Sequence, residues 1–215
     1  MYSGMIIFKG SHRKVYVGRK YAYSMKLHLY LFRHGQTTFN RDKKFTGWKD
    51  SKLTLLGKKQ AKIVALLLKH KLIDAAFQTH LSRSKDTLKE VLKYHPECKK
   101  IITDDRMIER SYGNLQGKSH AAIIQEYGVS KFNKWHREYN YPPPHGESIK
   151  MVEKRVNSFI RDLLKKMKKE KVNVAISAHG NSMRPFRRYF EKLSVKEMME
   201  LENPWDDYFE YVVDV

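Results

Sequence analysis

Two histidines carry the clearest chemical signal in this sequence, because each stands at the end of a short β-type segment. His34 follows Arg33 after the apolar residues 27–32, and His179 follows the apolar residues 172–177. In open α/β sheets, ligands bind at the carboxyl ends of the strands, so both imidazoles are expected to face one crevice. Two histidines and an arginine at such an edge suggest chemistry on a phosphate.

His34 is a candidate nucleophile. A histidine that attacks phosphorus must present a neutral ring nitrogen, and its ordinary pKa of about 6.5 leaves enough of that form at neutral pH. Phosphate oxygens need guanidinium partners, which Arg33 and Arg83 can supply, the latter at the start of a predicted helix. The helix that opens near Asn181 adds a positive dipole end beside His179. Such a cluster can replace the metal ion of many phosphoryl-transfer sites, so the sequence predicts no metal.

A group that protonates the leaving oxygen is also required. Glu109 lies in the irregular stretch 106–110, which follows a short predicted strand at the same edge of the sheet. It is the best-placed carboxylate, and we interpret it as the candidate proton shuttle.

The elements that must position these residues alternate between strands and helices. Strands are predicted at residues 27–32, 73–77, 100–103, 172–177 and 209–214. Helices are predicted at residues 54–70, 81–93, 119–127, 148–167, 181–191 and 194–202, with Thr54 and Ser148 as N-caps. This alternation favours a three-layer α/β/α fold with a mainly parallel central sheet and helices on both faces.

A single catalytic domain is predicted over residues 26–215, since 215 residues suit one core. The run from Pro142 to Pro144 predicts a surface loop inside that domain. Residues 1–25 are predicted to be a basic N-terminal extension, with weak β character at residues 5–8 and 14–17. This extension is either a small appended hairpin, an overlong start before Met25, or a basic arm that reaches an anionic partner; we favour the first two.

The charge balance favours anionic partners in general, because the sequence has 43 Lys and Arg residues and only 23 Asp and Glu residues, a formal net charge of +20. No zinc-type Cys/His spacing or RNA-binding aromatic signature accompanies the charge, so we predict no specific nucleic-acid partner. Cys98 is the only cysteine, and no apolar run approaches the roughly 20 residues of a membrane span. We therefore expect a cytoplasmic enzyme without a membrane partner, acting on a small anionic phosphorylated substrate.

Several motifs stand in a fixed order along about residues 25–204. They are Arg33-His34-Gly35-Gln36, Phe45-Thr46-Gly47-Trp48, Glu109-Arg110-Ser111-Tyr112-Gly113, Pro142-Pro143-Pro144, Gly146-Glu147-Ser148 and Ala178-His179-Gly180-Asn181-Ser182. This ordered set resembles the histidine phosphatase superfamily and, within it, the cofactor-dependent phosphoglycerate mutases. A lone Arg-His-Gly turn is a weak signal, whereas the ordered set is specific.

The resemblance implies a phosphoglycerate mutase-like fold and phosphoryl transfer through a phosphohistidine at His34. It implies that Arg33, Arg83 and His179 hold the transferring phosphate and that Glu109 moves the proton. The residues that it assigns to the rest of the substrate are Asn40, Thr46, Gly47, Arg110, Tyr112, His120, Arg137, Gly180 and Asn181. Family mutases are primed by 2,3-bisphosphoglycerate and occur as monomers, dimers and tetramers, so a homo-oligomer is compatible with the resemblance.

Departures from the mutase pattern leave the phosphoryl acceptor open. His120 stands where the mutases usually carry a lysine, and His136-Arg137 where they carry an arginine pair. An insertion after the proline run is missing, and the chain stops at Val215 without the tail that helps to close the mutase site. Water that enters a more open site would turn a transferase into a phosphatase.

Three functional hypotheses follow. The first is interconversion of 3-phosphoglycerate and 2-phosphoglycerate, a step of glycolysis and gluconeogenesis. The second is a metal-independent histidine phosphatase that acts on small phosphomonoesters. The third is a basic module that binds nucleic acid or protein without catalysis.

Overall fold

The computed structural model describes residues 7–8, 13–17 and 25–215. Its strands are β1 (Ile7–Phe8), β2 (Arg13–Val17), β3 (Lys26–Arg33), β4 (Ala75–Gln78), β5 (Lys100–Thr103), β6 (Val174–Ala178) and β7 (Tyr208–Asp214). Its α-helices are α1 (Thr38–Arg41), α2 (Leu55–Leu68), α3 (Ser82–Leu92), α4 (His120–Arg137), α5 (Ile149–Glu170), α6 (Gly180–Glu191) and α7 (Val195–Glu200). Short 3-10 turns lie at Asp105–Met107 and Gly113–Leu115.

The described strands form one sheet in the order β1-β2-β7-β3-β6-β4-β5. Strands β3, β4, β5 and β6 run parallel, whereas β7 is antiparallel to β3. The predicted mainly parallel sheet is confirmed. Its carboxyl edge gathers the residues that follow β3, β4 and β6, because Phe32 is in register with Ser177 and Arg33 with Ala178.

Strand β3 has a hydrophobic core on each side, which is the reason for its nearly continuous apolar sequence. Leu29 and Leu31 belong to the cluster packed under α5 and α6. Tyr30 and Phe32 belong to the cluster packed under α2 and α3. Successive side chains of a strand point to opposite faces, so this alternation builds the three-layer α/β/α fold that the sequence predicts.

Most helix starts follow local capping chemistry. The Thr54 hydroxyl accepts from Gly57 N at the start of α2, and the Ser148 hydroxyl accepts from Met151 N at the start of α5. The helix predicted at 119–127 was wrong in length, because α4 continues to Arg137. Gly128 interrupts it with a φ of 80°, and the second half is retained because Phe132 and Trp135 pack against the cluster around Phe45.

The two β segments predicted in the N-terminal extension are strands that pair as an antiparallel hairpin. Strand β2 also pairs in parallel with β7, from Lys14 with Glu210 to Val17 with Val213, so the hairpin extends the sheet. The rest of residues 1–24, including most of the basic positions, lies outside the described residues. The domain division at residue 25 stays a prediction. Among the described residues, no helix is both long and apolar enough to span a membrane.

Candidate active site

The two histidines singled out by the sequence lie together at the carboxyl edge of the sheet. His34 directly follows β3, and His179 is the N-cap of α6 directly after β6. Their ring centroids are 5.0 Å apart, and their exposed fractions are 2% and 0%. The parallel register of β3 and β6 therefore produces the predicted pair.

Gly35 permits this arrangement because α2 passes against the turn after β3. A Cβ at position 35 would lie 2.2 Å from the carbonyl oxygen of Gly57, and a Cβ at Gly57 would lie 2.0 Å from the Gln36 oxygen. Because both contacts are with backbone atoms, no side-chain movement could relieve them. Both glycines thus allow the first turn of α2 to pack directly beside the nucleophile.

The hydrogen bonding of His34 fixes which ring nitrogen is free. Its Nδ1 donates to the carbonyl oxygen of Gly35 at 2.8 Å, so Nδ1 carries the proton and Nε2 keeps its lone pair. Burial holds the pKa of His34 well below its ordinary value, and the charges of Arg83 and Arg33 lower it further. At neutral pH the ring is therefore a neutral nucleophile.

His179 is also neutral because it is buried, but its ring makes a different hydrogen bond. Its Nε2 and the Thr79 hydroxyl form a hydrogen bond of 2.9 Å. Its Nδ1 is buried and has no hydrogen-bond partner among the described residues. Burial, followed by the charge of Arg83, lowers the pKa of the imidazole well below its ordinary value. A buried ring nitrogen without a partner beside a nucleophile is suited to contact a ligand oxygen.

Two arginines are fixed beside the histidines through backbone carbonyls. Arg83, in the first turn of α3, is fully buried and donates through Nη1 to Lys49 O at 3.0 Å and through Nη2 to Gly47 O at 2.8 Å. Burial lowers its pKa to about 10, which leaves it charged at neutral pH. Arg33 donates through Nη1 to Asn203 O at 3.1 Å. In both arginines Nε is buried and finds no acceptor among the described residues.

Glu109 connects the histidine pair with the cavity above it. Its Oε1 accepts from the backbone N of Arg110 at 2.8 Å and from the backbone N of Asn181 at 3.1 Å. A carboxylate oxygen of Glu109 and ring nitrogens of His34 and His179 all lie within 4.8 Å of one another. This spacing suits a proton shuttle, and it is also a ligand set that could hold a metal ion. The prediction of a metal-free site stays a prediction.

A cavity of about 320 Å³ opens above these groups. Arg33 and Glu109 line it, whereas His34, Arg83 and His179 are buried and are not among the lining residues. Eight predicted substrate-binding residues line it, namely Asn40, Thr46, Gly47, Tyr112, His120, Arg137, Gly180 and Asn181. Arg110 does not: it is buried behind Tyr112 and donates to Glu147 O at 2.6 Å and to Tyr141 O at 3.1 Å.

The far side of the cavity contains a pair of imidazoles. The rings of His120 and His136 are 5.0 Å apart, and both pack against Phe45 at 4.6 and 5.6 Å. Burial and the charge of Arg137 lower the pKa of His120, while burial and the neighbouring His120 lower the pKa of His136 to about 4. Both rings are therefore neutral at neutral pH. His136 was not predicted as a site residue, although it adjoins Arg137.

The sequence analysis also missed the lysines and the arginine that make the cavity wall cationic. Lys43 and Lys44 line the cavity from the loop before Phe45, and Arg184 lines it from α6. Arg184 could have been found, because it stands four residues after Gly180 and so lies on the same helix face. The lysines carry no comparable signal, since only tertiary packing brings their loop to the cavity.

Residues 201–205 lie in the connection between α7 and β7 and close one side of the cavity, and we call them the covering segment. Leu201, Asn203 and Trp205 from this segment line the cavity. The guanidinium carbon of Arg33 lies 4.4 Å from the ring centroid of Trp205. Asn203 and Trp205 thus provide cover on the side of the cavity where Arg33 lies.

Comparison with known sequences identifies the family. A sequence model described as the histidine phosphatase superfamily (branch 1) matches residues 29–207. The chain is 34% identical over 174 residues to the 2,3-bisphosphoglycerate-dependent phosphoglycerate mutase of Cytophaga hutchinsonii, which covers 81% of this chain and 82% of that protein. It is 35% identical over 177 residues to the protein of the same name from Parvibaculum lavamentivorans, with 80% and 84% covered.

Comparison with solved structures gives the same fold. The Bacillus stearothermophilus protein YhfR superimposes with a TM-score of 0.74 at 25% identity, covering 82% of this chain and 86% of that one. A mycobacterial glucosyl-3-phosphoglycerate phosphatase has a TM-score of 0.74 at 24% identity, with 86% and 90% covered. The predicted phosphoglycerate mutase-like fold and the prediction of an enzyme are both confirmed.

Proposed function

The chain belongs to the histidine phosphatase superfamily, and we propose that it is a phosphoglycerate mutase that interconverts 3-phosphoglycerate and 2-phosphoglycerate through a phosphohistidine at His34. The observation that carries the proposal is a cavity that adjoins the histidine pair through Arg33 and Glu109 and is lined by the further cations Lys43, Lys44, Arg137 and Arg184. We assign Arg33 and Arg83 to the phosphoryl group at the histidine pair, and Lys43, Lys44 and Arg137 to the remainder of the substrate. A substrate with two anionic groups needs both. The curated relatives with the mutase name support this reading.

In the first step, the Nε2 lone pair of His34 attacks the phosphorus of the bound phosphoester. The N–P bond forms as the bond to the leaving oxygen breaks, and Glu109 donates the proton that the leaving oxygen needs. Arg33, Arg83 and His179 offer N–H groups to the oxygens of the transferring group, where the negative charge resides. These donors are already fixed by the fold, so little reorganisation is required.

In the second step, a hydroxyl of the acceptor attacks the phosphorus of phosphohistidine. Glu109, now deprotonated, takes the hydroxyl proton while the N–P bond breaks and Nε2 regains its lone pair. The primer that the resemblance implies, 2,3-bisphosphoglycerate, would supply the phosphoryl group that first loads His34. The site fits such a molecule with several anionic groups, because Arg33, Arg83 and His179 carry buried nitrogens without partners among the described residues, and Arg137 and Arg184 also line the cavity.

A phosphatase is the second candidate, and the neutral imidazole pair favours it. His120 and His136 occupy the positions where the resemblance leads us to expect lysine and arginine, and the lowered pKa of each removes charge from the far side of the cavity. A weaker hold on the distal anion would release the acceptor and admit water to the phosphohistidine.

One experiment separates the two candidates. The protein is incubated with 3-phosphoglycerate, with and without 2,3-bisphosphoglycerate, and both 2-phosphoglycerate and free phosphate are followed. Formation of 2-phosphoglycerate that depends on the primer supports the mutase, whereas dominant phosphate release contradicts it and supports the phosphatase.

A variant pair controls for contaminating activity. His34→Ala removes the nucleophile and is expected to lower turnover by about 10⁴-fold or more. His70→Ala, in an exposed position just after α2, is expected to behave as the wild type. Equal activity of the His34→Ala variant and the wild type would contradict both candidates.

A further inference from the structure

Trp205 presents a polar atom that the described part of the protein does not satisfy. Its indole Nε1 is buried and has no acceptor among the described residues. The residue lines the cavity, in the same wall as Arg33. An N–H group withheld from both water and protein costs free energy, and a tryptophan is usually buried where its N–H reaches a partner. The missing acceptor is therefore expected to arrive with a ligand.

Arg33, which lies beside Trp205, also indicates that a ligand oxygen binds here. Its guanidinium lies under the Trp205 ring at 4.4 Å, and its Nε is buried without an acceptor among the described residues. A cation and an indole N–H side by side both require a negative or strongly polar oxygen. The oxygens of a phosphoester anion meet both requirements, because each can accept more than one hydrogen bond.

The position of Trp205 is restrained by the backbone that precedes it. The Asn203 carbonyl accepts from Arg33 Nη1 at 3.1 Å, and the Asn203 side chain donates through Nδ2 to Gly180 O at 2.9 Å. Arg187 donates through Nη1 to Glu202 O at 2.7 Å. The covering segment is thereby tied to both β3 and α6. Trp205 is thus held beside Arg33 before any ligand enters.

We propose that Trp205 is a substrate-binding residue, whose indole N–H donates to an anionic oxygen of the phosphoester held by Arg33 and whose ring shields the phosphohistidine from water. The identity of that phosphoester rests on the proposed function. The hydrogen bond and the shielding do not, since they apply to any phosphoester bound beside His34. No motif of the sequence analysis assigned Trp205.

The donor role is tested with Trp205→Phe, which keeps a smaller aromatic ring over Arg33 and removes the N–H. The dissociation constant for inorganic phosphate, measured by calorimetry, is expected to rise about tenfold, as for a hydrogen bond to a charged group. The KM for 3-phosphoglycerate is expected to rise with it, while kcat changes little. Trp135→Phe is the matched control. Trp135 packs edge-to-face against Tyr127 and is not among the residues that line the cavity.

A purely structural role for Trp205 predicts a different result. It would lower the unfolding temperature of Trp205→Phe and leave the phosphate affinity at the wild-type value. Our proposal is overturned if Trp205→Phe binds phosphate as tightly as Trp135→Phe and the wild type do.

The shielding role is tested with Trp205→Leu, which removes both the ring and the donor. The share of phosphoryl groups transferred to water instead of to phosphoglycerate is expected to rise severalfold, whereas Trp205→Phe keeps the wild-type share. An unchanged share in a folded Trp205→Leu variant would overturn the shielding. If the wild type itself forms no 2-phosphoglycerate, the mutase proposal fails, and the phosphate affinities still decide the role of Trp205.

Discussion

The floor and the far wall of the cavity are built in different ways. On the floor, His34, Arg83, Glu109 and His179 are at most 7% exposed, and each stands in a loop or first helical turn at the carboxyl edge of the sheet. The far wall, from Lys43 and Lys44 to α4, is more exposed, and its imidazoles are packed in an aromatic cluster. Under the proposed function, the floor would carry out the phosphoryl chemistry and the wall would determine which acceptor stays bound.

The largest expected effect comes from Glu109→Gln, which changes the floor of the cavity and leaves the far wall intact. This change keeps an acceptor oxygen for the backbone N–H groups of Arg110 and Asn181 but removes the proton donor. We expect kcat to fall by about 10²–10⁴-fold for 3-phosphoglycerate, and equally for an alkyl phosphomonoester without a carboxylate. For p-nitrophenyl phosphate the phosphorylation of His34, measured as a burst of p-nitrophenolate, should slow much less, because its leaving group needs no proton.

The same substitution should improve phosphate binding. The Glu109 carboxylate raises the pKa of Arg33 and Arg83, so its removal leaves those charges available to a ligand. Calorimetry should give a lower dissociation constant for inorganic phosphate than in the wild type, and Glu138→Gln, in an exposed position, should leave it unchanged. An equal slowing of His34 phosphorylation by p-nitrophenyl phosphate and by alkyl phosphates would show that Glu109 is not the proton donor.

The floor could be predicted from the sequence because its residues are tied to strand ends by short motifs. His34 and His179 each follow a strongly apolar segment, and parallel pairing of β3 and β6 brings such positions together. Arg83 was found in the same way, since it follows β4 at the start of α3. A linear motif and a period-two apolar pattern are sufficient when the sheet fixes the geometry.

The far wall could not be predicted to the same degree, because tertiary packing assembles it. Residues after Gly128 show no sequence signal that they continue α4, and this continuation is what brings His136 beside His120. Lys43 and Trp205 also reach the cavity through loops. The expected cytoplasmic location, the homo-oligomer and the lack of a nucleic-acid partner stay predictions, as do the roles assigned to the site residues.

The pH dependence of the free energy of unfolding tests the environment of His136 in the far wall. The pKa of His136 is lowered to about 4 by burial and by the neighbouring His120. Between its ordinary pKa of about 6.5 and that value, the unfolded chain binds one more proton than the folded protein, so the stabilisation is complete above pH 6.5 and declines toward pH 4. We expect His136 to contribute up to about 3 kcal/mol to this loss of unfolding free energy.

Denaturant unfolding of His136→Gln at several pH values checks this contribution. The variant should have a shallower decline between pH 6.5 and 4 than the wild type, whereas Asn133→Gln, in an exposed position of the same helix, should keep the wild-type decline. Inorganic phosphate should reduce the share of the decline that comes from His34 and His179 on the floor. Identical slopes for His136→Gln and the wild type would mean that this ring does not remain neutral inside the fold.

The substitution with the smallest expected effect, His120→Lys, tests whether the far wall contacts a second anionic group of the substrate. Burial, with the charges of Arg137 and Lys43, lowers the pKa of His120, so the ring is neutral at pH 7.5. A lysine keeps its charge there even if its pKa is lowered, and His120→Lys should therefore reduce the KM for 3-phosphoglycerate by about fivefold. The KM for p-nitrophenyl phosphate, which has no distal anion, should not change. Lys43→Gln provides the reciprocal measurement, because it removes a wall charge and should raise only the KM for 3-phosphoglycerate. A parallel shift for both substrates would instead mean that the wall acts on the phosphoryl group itself, and the division between floor and wall would then be wrong.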